Sequence, residues 1–271
     1  MSAAALESLL RRDRRITAGA LLAIGFVAWA YVLWLAGAMR MPGMASAALR
    51  MDANPLGPAM LPHDQPWGAV EFVLMFAMWA IMMIGMMVPS SAPMVLLYTR
   101  VGRKAMADGS PIAGAWWFFG GYLLVWTVFS LGAATAQWGL DRAALLTASM
   151  AGASDRLGAV ILLAAGCYQF TPLKAACLSK CQAPLAFIQR HGGFRRDPRG
   201  ALALGLRHGS YCVGCCWALM ALLFVVGVMN VLWLAAIAAF ALLERILPPA
   251  WPVSRLGGIA LIAAALWLLV R

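Results

Sequence analysis

"MFAMWAIMMIGMMVPSSAPM", residues 75–94, decides how the chain is read. Seven of its twenty positions are methionine, none is charged, and the apolar run closes on Pro89 and Pro93. Extended back to residue 70, such a run is long enough to cross the ~30 Å hydrocarbon core of a bilayer as a helix. Lipid leaves a backbone only the helix or the closed barrel, and barrel strands alternate in polarity as this segment does not.

The rest of the chain agrees. Of 271 residues, 63% are hydrophobic and 11% charged, against about a quarter charged in a soluble domain. Apolar segments near 16–38, 70–97, 113–138, 157–173, 203–227, 230–247 and 256–270 predict an all-α, polytopic membrane helical bundle of seven spans. Six is the alternative, because the last two segments are short. No repeat and no low-complexity linker divides the chain, so 1–271 reads as a single integral membrane domain. The first segment, with "AGA" at 36–38, resembles a signal peptide, but its apolar run of about 23 residues exceeds the usual signal core, and a retained helix is expected.

The 21 Lys and Arg outnumber the 10 Asp and Glu. They sit in connections: Arg11, Arg12, Arg14 and Arg15 before the first span, Arg100, Arg103 and Lys104 in 99–112, and Lys174, Lys180, Arg190, Arg195, Arg196 and Arg199 in 174–200. This asymmetry predicts a multi-pass protein of the inner (cytoplasmic) membrane with a cytoplasmic N-terminus. No segment outside the bilayer is long enough for a folded basic face or aromatic platform, so a nucleic-acid partner is not expected. The connection 39–69, on the outer side in this topology, carries Met39, Met41, Met44, Met51, Met60 and His63.

At about 100° per residue, Met75, Met78, Met82 and Met86 fall within roughly an 80° arc, with Met83 and Met87 beside it. A stripe of thioethers some 16 Å long offers one soft donor after another, and thioether selects Cu(I) over hard cations. The bland reading is packing, for which methionine is an adaptable filler. In "LRHGSYCVGCCWALM", residues 206–220, His208, Cys212 and Cys215 share one helical face with Cys216 at its flank. An imidazole and three thiols at these spacings are a metal-binding set, where a lone Cys would be core.

A second set, "GCYQFTPLKAACLSKCQAP" at 166–184, has Pro172 kinking or ending the fourth span. Cys177 and Cys181 then lie at i and i+4 of a short basic helix, where Lys174 and Lys180 would favour thiolate. Tyr168, Gln169 and Thr171 are polar groups near bilayer depth that should face protein. A reducing compartment disfavours bridges among the six cysteines, which read as thiols. Glu71, Arg207, Glu244 and Arg245 are expected to snorkel at span ends. Gly120, Gly121, Gly214, Gly257 and Gly258 are expected to allow close helix contact.

The stretches 78–94, 168–184 and 208–220 resemble those of a bacterial family of predicted metal-binding integral membrane proteins, the domain of unknown function 2182. The resemblance implies a polytopic inner-membrane protein with these Met, Cys and His positions as ligands; it supplies no substrate. The MxxxM spacings are also similar to the chemistry of Ctr-type copper transporters. Together the readings predict a membrane protein that binds a soft ion, Cu(I) foremost and Hg(II) as a close variant, for inward transport or delivery. Its partners would be the bilayer and a copper-donating or copper-accepting protein, and an oligomer is compatible. The alternatives are a thiol–disulfide redox protein, for which "CVGC" lacks the thioredoxin-like setting, and a structural subunit of a larger membrane complex. No phosphate loop is present, and the enzyme question stays open, with binding or transport favoured.

Overall fold

The structure, a computed structural model, describes residues 3–40, 68–143, 154–228, 230–248 and 252–270. These residues form helices α1 (Ala3–Arg40), α2 (Ala69–Ala107), α3 (Ala115–Arg142), α4 (Asp155–Tyr168), α5 (Pro172–Gln182), α6 (Pro184–Arg190), α7 (Pro198–Ala221), α8 (Leu223–Val226), α9 (Val231–Ile246) and α10 (Val253–Val270). The connection with Met41, Met44, Met51, Met60 and His63, and the side chain of Met39, lie outside the described residues.

Among the described residues, five helices are long and apolar enough to cross a membrane: 16–37 of α1, α2, α3, α7 continued through α8, and α10. A sixth span results if α4 and α5, bent by 65° at the break before Pro172, count as one. The expectation of seven is therefore corrected to five or six. The segment 230–247 fails because α9 has 16 residues, about 24 Å of helix against ~30 Å of hydrocarbon. Its last turn, moreover, does not reach a surface. Glu244 and Arg245 are buried at 4% and 9% exposure, which overturns the expectation that they snorkel.

Pro89 and Pro93 do not end α2, which runs 39 residues through both. Proline removes the N–H that would serve the carbonyl four residues earlier, so Pro89 orphans Gly85. Trp29 of α1 replaces that donor, its Nε1 reaching the Gly85 carbonyl at 3.2 Å. Gly85 also admits α1 closely, since a Cβ there would stand 3.3 Å from that of Ala28. Nearby carbonyls receive Ser90 Oγ (to Met87, 3.1 Å), Ser91 Oγ (to Val88, 2.9 Å) and Tyr122 Oη of α3 (to Met87, 3.1 Å). An apolar surround leaves no water for the freed Gly85 carbonyl, so the indole donor lets the helix continue past Pro89.

The helices pack through glycine. A Cβ on Gly205 of α7 would run into the Phe118 carbonyl of α3, and one on Gly121 into the Leu202 carbonyl. On the other side, Gly166 of α4 abuts Ile262 and the Gly258 carbonyl of α10. Gly257 faces the ring of Phe240, whereas Gly120, expected to mediate contact, has nothing within 4 Å of a built Cβ. Trp79 of α2 donates from Nε1 to Gln137 Oε1 of α3 at 2.5 Å, joining two buried side chains. At one end of the bundle the Ala113 amide donates to the Arg195 carbonyl (2.9 Å) and Tyr98 meets Phe194 edge-on. The basic connections around 100–112 and 190–199 therefore share that end.

Leu22, Phe26, Trp116, Val128, Leu232 and Leu266 point outward from the bundle. An apolar surface of this extent suits lipid rather than water, as in a multi-pass membrane protein.

Gly205→Ala should destabilise the bundle by about 1–3 kcal/mol, the range for overpacking a close contact. Gly132→Ala, where a Cβ meets nothing within 4 Å, should be neutral or gain up to about 1 kcal/mol from helix propensity. Unfolding of both variants in detergent, followed by circular dichroism, checks the difference.

Candidate functional site

Helix α7 begins behind the N-cap Asp197, with Pro198 in its first turn. From about three turns on it presents His208, Cys212, Cys215 and Cys216 inward, each at most 3% exposed. All six cysteines are free thiols. Cys215 and Cys216 each donate to the Cys212 carbonyl, at 3.1 and 3.0 Å, which folds both sulfurs back along the helix. Cys216 Sγ lies 4.0 Å from Met87 Sδ of α2. Tyr122 Oη of α3 sits 3.1 Å from both Cys212 Sγ and the Met87 carbonyl. Its single hydrogen can serve either one; when it goes to the carbonyl, the Cys212 thiol donates to the phenol oxygen.

The centre of this cluster is held by Arg245 of α9. Its Nη2 lies 3.0 Å from Cys212 Sγ, 3.4 Å from Cys216 Sγ, 3.5 Å from Cys215 Sγ and 3.9 Å from Met87 Sδ. Four sulfurs from two helices thus surround one nitrogen of a third. Guanidinium is always charged, and a charge buried away from water needs an answering group. Sulfur answers it weakly as thiol and strongly as thiolate. Among the described residues, no three or more His, Cys, Asp or Glu side chains stand ready to hold a metal ion. The thiols are spread around a guanidinium.

The other candidate residues fall around this cage. Met75, Met78, Met82, Met83, Met86 and Met87 are all buried, at 4% exposure or less, in one apolar cluster with Cys177, Cys212, Cys215 and Cys216. Met87, at the flank of the predicted stripe, is the methionine whose sulfur reaches Arg245. His208 stacks on Tyr122, with Phe118 tilted and Phe187 edge-on beside it, ring centroids 5.3–5.7 Å away. Its buried Nδ1 has no hydrogen-bond partner. Cys181 of α5 is partly buried and packs against the same cluster. Cys177 sits instead under Gly214, where a Cβ would stand 2.8 Å from its sulfur.

Lys174 does not serve the thiols as expected. It is 1% exposed and donates to both carboxylate oxygens of Glu244, at 2.7 and 2.8 Å, and to Gln169 Oε1. Ser254 Oγ of α10 donates to Glu244 Oε1 at 2.7 Å. Gln182 Nε2 reaches the Glu244 and Leu247 carbonyls, at 2.7 and 3.3 Å, and so closes the end of α9. Thr171 caps α5 by accepting from the Lys174 amide at 3.2 Å, and Tyr168 donates to the Gly214 carbonyl. Beside the ion pair opens a cavity of about 490 Å³ whose lining includes Thr171, Ser179 and Arg255.

Arg245 and Tyr122 are the site residues that sequence reasoning missed. A signal for Arg245 was available: it follows Glu244 at the end of an apolar segment too short to span, so both charges were candidates for the interior. Tyr122 carried none, since a tyrosine within an aromatic-rich helix reads as packing.

A family model described as PpoB2, copper chaperone, matches residues 76–268. No curated protein and no solved structure matches the chain.

Removing one partner of the buried Lys174–Glu244 pair should cost about 3–5 kcal/mol, because it leaves a charge uncompensated. Lys174→Met combined with Glu244→Leu should cost clearly less than the sum of the two. A double-mutant cycle on unfolding in detergent measures the coupling.

Proposed function

The chain belongs to the PpoB2 family, described as copper chaperone, and from that premise we propose that it holds Cu(I) inside the membrane and delivers it to a partner protein. The observation that carries this reading is the cage of Cys212, Cys215, Cys216 and Met87 sulfurs around a single buried point. Thiolate and thioether are the donors Cu(I) prefers, and a dry, sulfur-lined interior offers hard cations nothing. We assign His208, buried one turn before Cys212 on α7, and Cys181, packed against the same cluster, as the further donors of the set. The three stretches that resemble the domain of unknown function 2182 all lie inside 76–268, and we take that resemblance and the copper-chaperone family as one assignment.

The methionines supply the approach. Along α2, Met75, Met78, Met82 or Met83, and Met86 or Met87 follow one another toward the cage at helical rise, about 18 Å in all. Thioethers bind Cu(I) less tightly than thiolates, so a relay of this order runs downhill toward α7. With the basic end of the bundle in the cytoplasm of a bacterial inner membrane, the relay leads inward from the outer end of α2. A donor protein would meet the outer end, and an acceptor would take the ion from the cage side.

Purified in detergent under reducing conditions, the wild type should bind Cu(I), measured by elemental analysis and by competition with a chromophoric Cu(I) chelator. Replacing Cys212, Cys215 and Cys216 together by Ser should abolish binding. Met87→Leu, which removes the one thioether donor and keeps the three thiols, should weaken it without abolishing it. A wild type without copper, or a triple variant that keeps it, would refute the reading.

A further inference from the structure

We propose that Arg245 is a place-holding cation, whose Nη2 occupies the position Cu(I) takes among Cys212, Cys215, Cys216 and Met87 and withdraws when the ion enters. This rests on the copper-handling reading above and adds how the site is emptied. Nη2 lies 3.0–3.5 Å from the three thiol sulfurs and 3.9 Å from Met87 Sδ. Metal–thiolate bonds are about 2.3 Å long, as for zinc, so an ion drawn to these sulfurs and the guanidinium nitrogen exclude one another. At fixed protonation of the sulfurs, loading is then an exchange of one monovalent cation for another, which leaves the net charge of the cage unchanged; each thiol that becomes thiolate on binding Cu(I) releases one proton to solvent. A divalent ion would not balance in this way.

Sulfur atoms are the hydrogen-bond partners that hold the guanidinium in place. Arg245 Nε has no hydrogen-bond partner, so withdrawing the guanidinium breaks its contacts to sulfur and leaves the neighbouring lattice of bonds intact. The backbone from which it swings is fixed by Gln182 on the Glu244 and Leu247 carbonyls and by the Lys174–Glu244 pair. The side chain beyond Cβ is therefore the moving part. Its return supplies four sulfurs with a cation as copper leaves, so that release does not strand a cluster of thiolates in an apolar interior. A chaperone needs this property, since a cage that only bound would never deliver.

The test is the transfer of Cu(I) from the loaded, reduced protein to a chromophoric chelator, followed at equilibrium and by stopped flow, for wild type, Arg245→Met and Arg245→Lys. Arg245→Met should bind Cu(I) roughly tenfold or more tightly and release it correspondingly slowly, because no cation competes for the cage. Arg245→Lys, with a single ammonium in place of the fork, should fall between. In the wild type itself, nitrogen-15 labelling of arginine should show one guanidinium resonance, missing in Arg245→Lys, that shifts on loading; this reading stands even if Arg245→Met does not fold. Weaker binding by Arg245→Met would make the guanidinium a counter-ion of the loaded site and overturn the proposal, as would an unmoved resonance. A wild type that binds no copper defeats the functional reading as well; one that binds normally while Arg245→Met matches it defeats this proposal alone.

Discussion

One guanidinium among four sulfurs sets the terms for the rest of the molecule. A permanent positive charge buried in an apolar bundle is among the most expensive groups a fold can carry. Here it is met by thiols and a thioether drawn from α7 and α2. For that meeting to occur, α9 must end inside the protein, α7 must turn its Cys-rich face inward, and α2 must bring Met87 opposite. Each requirement is visible as a local device: the Gln182 cap on α9, the Gly205 and Gly121 contacts that seat α7 on α3, and the Tyr122 hydroxyl that fastens the Met87 carbonyl.

The prolines of α2 obey the same economy of polar groups. A helix interrupted by proline in water would hydrate its freed carbonyl; in lipid it must find a donor within the protein. Trp29 provides one to Gly85. The bond explains why α1 crosses α2 at a glycine: the indole reaches the carbonyl only where no side chain holds the helices apart. A feature that reads as a helix stop in isolation becomes a docking point once a neighbouring helix carries the missing N–H.

Much of this was legible in the sequence, and the failures have physical causes. The spans of α1, α2, α3 and α7 follow from uninterrupted apolar length, which sequence records directly. The inward face of α7 follows from the spacing of His208, Cys212 and Cys215. The segment 230–247 misled because hydropathy counts apolar residues without asking where the helix ends. Its charged last turn sits among α2, α5 and α7, and only tertiary contacts distinguish that from a headgroup layer. Lys174 misled for a related reason: its sequence neighbours are Cys177 and Cys181, but its spatial partner, Glu244, lies 70 residues away. Charge pairing over that distance leaves no trace in local pattern.

Glu244 and Arg245 are consecutive, so their side chains leave α9 about 100° apart. One lines the cavity beside α5 and the other enters the sulfur cage. Helix α5 carries Lys174 for the first. Two charges of opposite sign on adjacent residues need different neighbours at this spacing; the fold answers Glu244 from α5 and α10 and Arg245 from α7 and α2. That division fixes the register of α9 against the bundle: a shift by one turn would withdraw Glu244 from Lys174 and Arg245 from the sulfurs together, exposing two buried charges at once. The pair of opposed demands holds the short helix in place more tightly than its modest apolar surface could.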